Sequence, residues 1–128
     1  MPIVDHDQVP EIEMRAGIRG RFLANKDLGS TGVSLLYNVV QPGASAPSHT
    51  HTVEETMLVL EGTVWAEIGD ERHEVGPNHT VIIPPHTPHA WGNSGPEPAK
   101  LLWAFAGADP FSDAAYLDGT PPVTNKPG

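Results

Sequence analysis

Apolar residues recur at strand length along the chain, from Gly20 to Leu23, Val33 to Val40, Thr56 to Leu60, Thr63 to Ile68, His73 to Val75, Thr80 to Ile83 and Leu101 to Phe105. Such alternation, or a short apolar run, predicts β-strands, because successive side chains of a strand point to opposite faces. Turn-forming residues stand between the runs: Gln41-Pro42-Gly43, Glu61-Gly62, Gly69-Asp70, Pro84-Pro85 and Gly92-Asn93-Ser94-Gly95-Pro96. Gly69-Asp70, flanked by two alternating runs, predicts a two-residue hairpin loop. Many short strands at close spacing predict an all-β sandwich or barrel.

The run near residue 101 is apolar on both faces, with Leu101, Trp103 and Phe105 on one and Leu102, Ala104 and Ala106 on the other. A barrel interior covers one face, and a second sheet or a partner subunit covers the other. This predicts a two-fold homodimer, in which the N-terminal segment carrying Ile3, Val4, Ile12 and Ile18 crosses to the partner as an added strand. The expected organisation is an N-terminal arm over residues 1–16, a barrel over 17–106 and an irregular C-terminal tail over 107–128. The tail's one candidate helix runs from Ser112 to Leu117 with Ser112 as its cap.

Composition narrows the function classes. A chain of 128 residues has the size of one domain, and 38% hydrophobic against 18% charged residues describes a globular protein. Fourteen prolines and thirteen glycines would break helices repeatedly but suit turns between strands. The formal charge of -9, without a Lys/Arg cluster, argues against a nucleic-acid partner. The apolar runs are too short for a membrane-spanning helix, and the N-terminus lacks a basic region and an apolar signal core, so a cytoplasmic location is the expectation. The chain has no cysteine. Any metal is therefore held by nitrogen and oxygen, a methionine thioether aside.

Candidate chemistry centres on the histidines. In an extended strand His49 and His51 point the same way and can offer two imidazoles to one point. Glu55 shares their parity and Glu54 does not, which prefers Glu55 as a carboxylate beside them. Neutral imidazoles with one carboxylate suit a first-row transition metal, one divalent ion of Fe, Mn, Zn, Ni, Co or Cu, better than calcium.

Gly43, His49, His51, Glu55 and Gly62 have the spacing of the first motif of the cupin superfamily, and Pro84, His89 and Asn93 match its second. The chain departs from that second motif at Asn78 and His86, which stand where the family has glycine, and at His79, where it often has aspartate. Over roughly residues 30–106 the chain resembles a small single-domain cupin. The resemblance implies a double-stranded β-helix, a jelly-roll-like barrel, with His49, His51, Glu55 and His89 as metal ligands and Asn93 as a structural residue of its turn. Trp91, His86 and Met57 are the candidate substrate-pocket residues. Cupins include dioxygenases, isomerases, decarboxylases and non-catalytic binders. The leading expectation is a metal-dependent, dioxygenase-like enzyme acting on a small organic substrate. The alternatives are a small-molecule binding or sensing module and a metal-dependent isomerase or decarboxylase.

Overall fold

The computed structural model describes residues 2–112 and 114–124. After a 3-10 turn at His6–Gln8, the strands in chain order are β1 (Ile12–Arg15), β2 (Ile18–Ala24), β3 (Ser34–Val40), β4 (Ser45–Thr50), β5 (Glu55–Glu61), β6 (Val64–Ile68), β7 (Glu71–Val75), β8 (Thr80–Ile83), β9 (His89–Gly92), β10 (Ala99–Phe105) and β11 (Ala115–Tyr116). They form two antiparallel sheets, one of six strands in the order β1-β2-β3-β10-β5-β8 and one of five in the order β11-β4-β9-β6-β7. The chain is thus an all-β double sheet. No helix among the described residues is long and apolar enough to cross a membrane.

Alternation decides which side of each sheet is core. Leu36 and Val40 of β3, Met57 and Val59 of β5, and Leu101, Trp103 and Phe105 of β10 are buried, while their neighbours Tyr37, Leu58 and Leu102 are half-exposed on the outer face. They meet Val64 and Ala66 of β6, Val81 and Ile83 of β8 and Trp91 of β9 in one cluster. Such a layered interior is the usual way two sheets bury their apolar faces.

Each predicted strand overlaps an observed one, those at Val33 and Thr63 starting one residue early, and the Gly69-Asp70 loop joins β6 to β7 with Gly69 at φ +58. The other strands lack a period-2 signal. The β4 segment SAPSHT carries a proline, β9 is buried at every position, and β1 has two charged residues. Each end of the chain supplies a further strand. The arm supplies β1, which pairs with β2 of its own chain, and the tail supplies β11, which pairs with β4. Tail residues 115–116 are therefore extended rather than helical, because backbone pairing with Thr50 and His49 is available to them; position 113 of the expected helix lies outside the described residues.

Both glycines of the first motif have positive φ, +85 at Gly43 and +86 at Gly62, and a Cβ on Gly62 would sit 2.9 Å from the Ala99 backbone. The two departures from the second motif have the same explanation. Asn78 at φ +70 and His86 at φ +61 are the non-glycine residues of positive φ among those described. The backbone stays left-handed where glycine is replaced, and asparagine and histidine tolerate that region better than most residues.

Candidate metal centre

The first motif folds so that β4 ends at Thr50, just before His51, and β5 begins at Glu55. His49, His51 and Glu55 are buried, and β9 brings in His89, paired across the sheet with His49. One ligating atom from each of these four residues lies within 4.8 Å of the others. The imidazole of His49 is 5.1 Å from that of His51 and 4.2 Å from that of His89, measured between ring centroids. Glu54 is exposed, as strand parity requires, and its carbonyl accepts from the Ala106 N–H at 3.0 Å.

Backbone carbonyls orient every ring. His49 Nδ1 donates to Pro47 O at 2.7 Å, His51 Nδ1 to Pro110 O at 2.6 Å and His89 Nδ1 to Thr87 O at 2.9 Å. A carbonyl can only accept, so each neutral ring carries its proton on Nδ1 and directs the Nε2 lone pair inward. Outer-sphere hydrogen bonds of this kind fix tautomer and orientation in metal-binding histidines.

The inward atoms lack donors. His51 Nε2, His89 Nε2 and Glu55 Oε1 are buried without a hydrogen-bond partner. His89 Nε2 lies against Glu55 Oε1, and His51 Nε2 is 3.9 Å from Glu55 Oε2. Lone pairs facing a carboxylate call for a cation between them. Burial disfavours charge on His89, but the Glu55 carboxylate against its Nε2 outweighs it and raises its pKa above 6.5. Burial, then the charge of His89, lowers His49 to about 3. The cluster thus favours one positive charge and offers neutral nitrogen and carboxylate oxygen to hold it. It can bind a metal ion.

Beside the cluster a cavity holds about 410 Å³ of empty space, its mouth included. His49, His51 and Glu55 form part of its wall, and Trp91, Trp103, Phe105 and Phe111 make much of the rest aromatic. Trp91 lines this cavity, and His86 and Met57 are not among its lining residues. Met57 is fully buried in the core cluster, because odd positions of β5 beyond Glu55 point between the sheets. His86 is exposed on its left-handed loop and contributes its backbone N–H, which donates to His51 O at 2.8 Å.

Arg15 from the arm and Tyr116 from the tail are among the cavity residues that escaped the sequence reading. The Tyr116 ring stacks on His49 at 4.9 Å and 15°. Burial raises its hydroxyl above the usual tyrosine range against the pull of Arg15, so it stays protonated at neutral pH. Neither segment carries a motif; only pairing to β2 and β4 brings them to the site.

The cupin domain family matches residues 37–105, which contain the whole cluster. The chain is a cupin. Among curated proteins it is similar to Protein SchB of Streptomyces halstedii, 27% identical over 117 residues, which cover 91% of this chain and 85% of that protein. Among solved structures it is similar to the polyketide cyclase RemF of Streptomyces resistomycificus, with TM-score 0.77, 22% identity and coverage of 94% of this chain and 87% of that one. It is also similar to oxalate decarboxylase OxdC of Bacillus subtilis, with TM-score 0.75 and 23% identity, covering 87% of this cupin but only 31% of that chain. At these identities the structural likeness establishes the fold.

Proposed function

We propose that this cupin is a metal-dependent enzyme that closes rings in planar, carbonyl-rich organic substrates of the polyketide class. The observation that carries this reading is the directed set of His49, His51, His89 and Glu55 atoms beside an apolar, aromatic-walled cavity. His49, His51, Glu55 and His89 would hold one divalent transition-metal ion. Bound there, it supplies Lewis acidity toward a carbonyl oxygen.

The chain's own residues do the rest. Aromatic walls exclude bulk water and hold a flat substrate, and the protonated Tyr116 hydroxyl can deliver a proton to a carbonyl oxygen as charge develops. In an aldol closure with dehydration a carbon–carbon bond forms, two carbon-bound protons are lost in turn, and the carbonyl oxygen gains two protons and leaves as water. No external oxidant is consumed. RemF supports this reading in preference to OxdC, because the match runs over nearly the full length of both chains.

Open coordination positions beside the same ligands also suit oxygen chemistry with ferrous iron, the dioxygenase-like reading, and oxygen uptake separates the two. The test is to purify the protein without chelators, determine its metal by elemental analysis, and assay it aerobically and anaerobically with a linear poly-β-ketone thioester mimic. Anaerobic formation of a product lighter by water, lost in the His49→Ala/His51→Ala double variant along with the metal, supports ring closure. Turnover confined to aerobic conditions, with oxygen uptake, would establish the oxygenase. Tight binding without turnover would establish a binding module. Retention of stoichiometric metal by the double variant would overturn the ligand assignment.

A further inference from the structure

Arg15 occupies an unusual place for a strand residue. Adjacent residues of a regular strand face opposite sides, yet Met14 and Arg15 both line the cavity. The β1–β2 register explains this: it shifts between Glu13, opposite Arg19, and Arg15, opposite Ile18. Such a bulge turns a side chain out of alternation. Among the described residues lining the cavity, Arg15 is the one Lys or Arg.

Glu11 takes Arg19 at 3.1 Å and Arg21 at 3.5 Å, whereas no carboxylate among the described residues pairs with Arg15. The guanidinium lies against Tyr116 instead, 5.4 Å from its ring centroid and hydrogen-bonded to its hydroxyl, which leaves its further N–H groups for a ligand. Among the described residues the cavity therefore holds one cation without a carboxylate partner.

We propose that Arg15, turned inward by the bulge, binds an oxyanion of the substrate, so that the cavity selects planar organic acids over neutral compounds of the same shape. This deepens the metal-enzyme reading and rests on it only for the position of the reacting group. A divalent ion at the ligand cluster would outweigh the Glu55 carboxylate by one charge, and Arg15 adds another, so an anion balances the cavity where a neutral molecule does not.

The test compares binding of 1-naphthoate with its neutral counterpart 1-naphthamide, followed by quenching of tryptophan fluorescence, in wild type, Arg15→Gln, Arg15→Lys and the surface control Arg19→Gln. The preference for naphthoate should fall about tenfold in Arg15→Gln, as for loss of a charge-assisted hydrogen bond. Arg15→Lys should keep part of it, Arg19→Gln all of it, and naphthamide affinity should not change. A merely structural Arg15 would weaken both compounds alike. An unchanged preference in Arg15→Gln, or none in wild type, overturns the proposal. Metal content is measured on the same samples: its absence from wild type would refute the metal reading, while the comparison between variants still reports on Arg15.

Discussion

At the residue scale, Glu55 and Glu54 are chemically alike neighbours with opposite surroundings. Glu55 is 2% exposed between His51 and His89, and Glu54 faces solvent. Glu55→Gln should lower metal affinity by about one to two orders of magnitude, while Glu54→Gln should leave it unchanged, measured by competition with a chromophoric chelator. The reverse ranking would move the carboxylate ligand to Glu54. The imidazoles should also titrate apart in metal-stripped protein. With His49 lowered to about 3 and His89 raised above 6.5, ring NMR should show His49 neutral at about pH 4.5 while His89 keeps its proton to near-neutral pH. The linkage signs are opposite. His49 contributes stability that falls as pH drops from 6.5 toward 3, because the unfolded chain takes up that proton first. The contribution of His89 is complete below 6.5 and is lost as pH rises through its folded value.

At the element scale, the C-terminal segment acts as a strap over the first motif. Pro110 O receives the His51 Nδ1 proton, Phe111 lies 5.3 Å from the His51 ring, and Tyr116 stacks on His49. Leu117 N–H donates to Ser48 O at 2.9 Å, and Val123 N–H to Met14 O at 3.0 Å, fastening the strap to β4 and β1. A chain ending at Asp109 keeps all four ligands but loses the acceptor that sets the His51 tautomer. Its metal affinity should fall by about tenfold or more, as on removal of other outer-sphere partners, with the β-sheet circular dichroism retained. Unchanged affinity would show that the strap has no part in orienting His51.

At the scale of the whole molecule, the outer face of the six-stranded sheet is notably apolar. Leu35, Tyr37 and Val39 of β3, Leu58 of β5 and Leu102 and Ala104 of β10 are only half-buried there. This face carries the expectation of a two-fold homodimer. Light scattering at micromolar concentration should give twice the 13.7 kDa chain mass, and Tyr37→Asp should halve it by burying a charge at the centre of the contact. A monomer mass for the wild type would refute the dimer. The barrel strands and first motif were legible in the sequence because their signals are local. Period-2 alternation marks β3, β5 and β10, and the spacing of His49, His51 and Glu55 follows from one strand end and the start of the next. The cavity was not legible. Met57 and Trp91 are both apolar and buried, and only the stacking of the sheets puts Trp91 on the wall and Met57 in the core. Arg15 and Tyr116 reach the site through pairing of β1 with β2 and β11 with β4, and a bulge sets the direction of Arg15. The strand positions along the chain and the spacing of His49, His51 and Glu55 are thus properties of short stretches of chain. The order of strands in each sheet, the cavity wall, the ring tautomers and the inward turn of Arg15 arise between segments far apart in sequence, so the packing of the fold decides them.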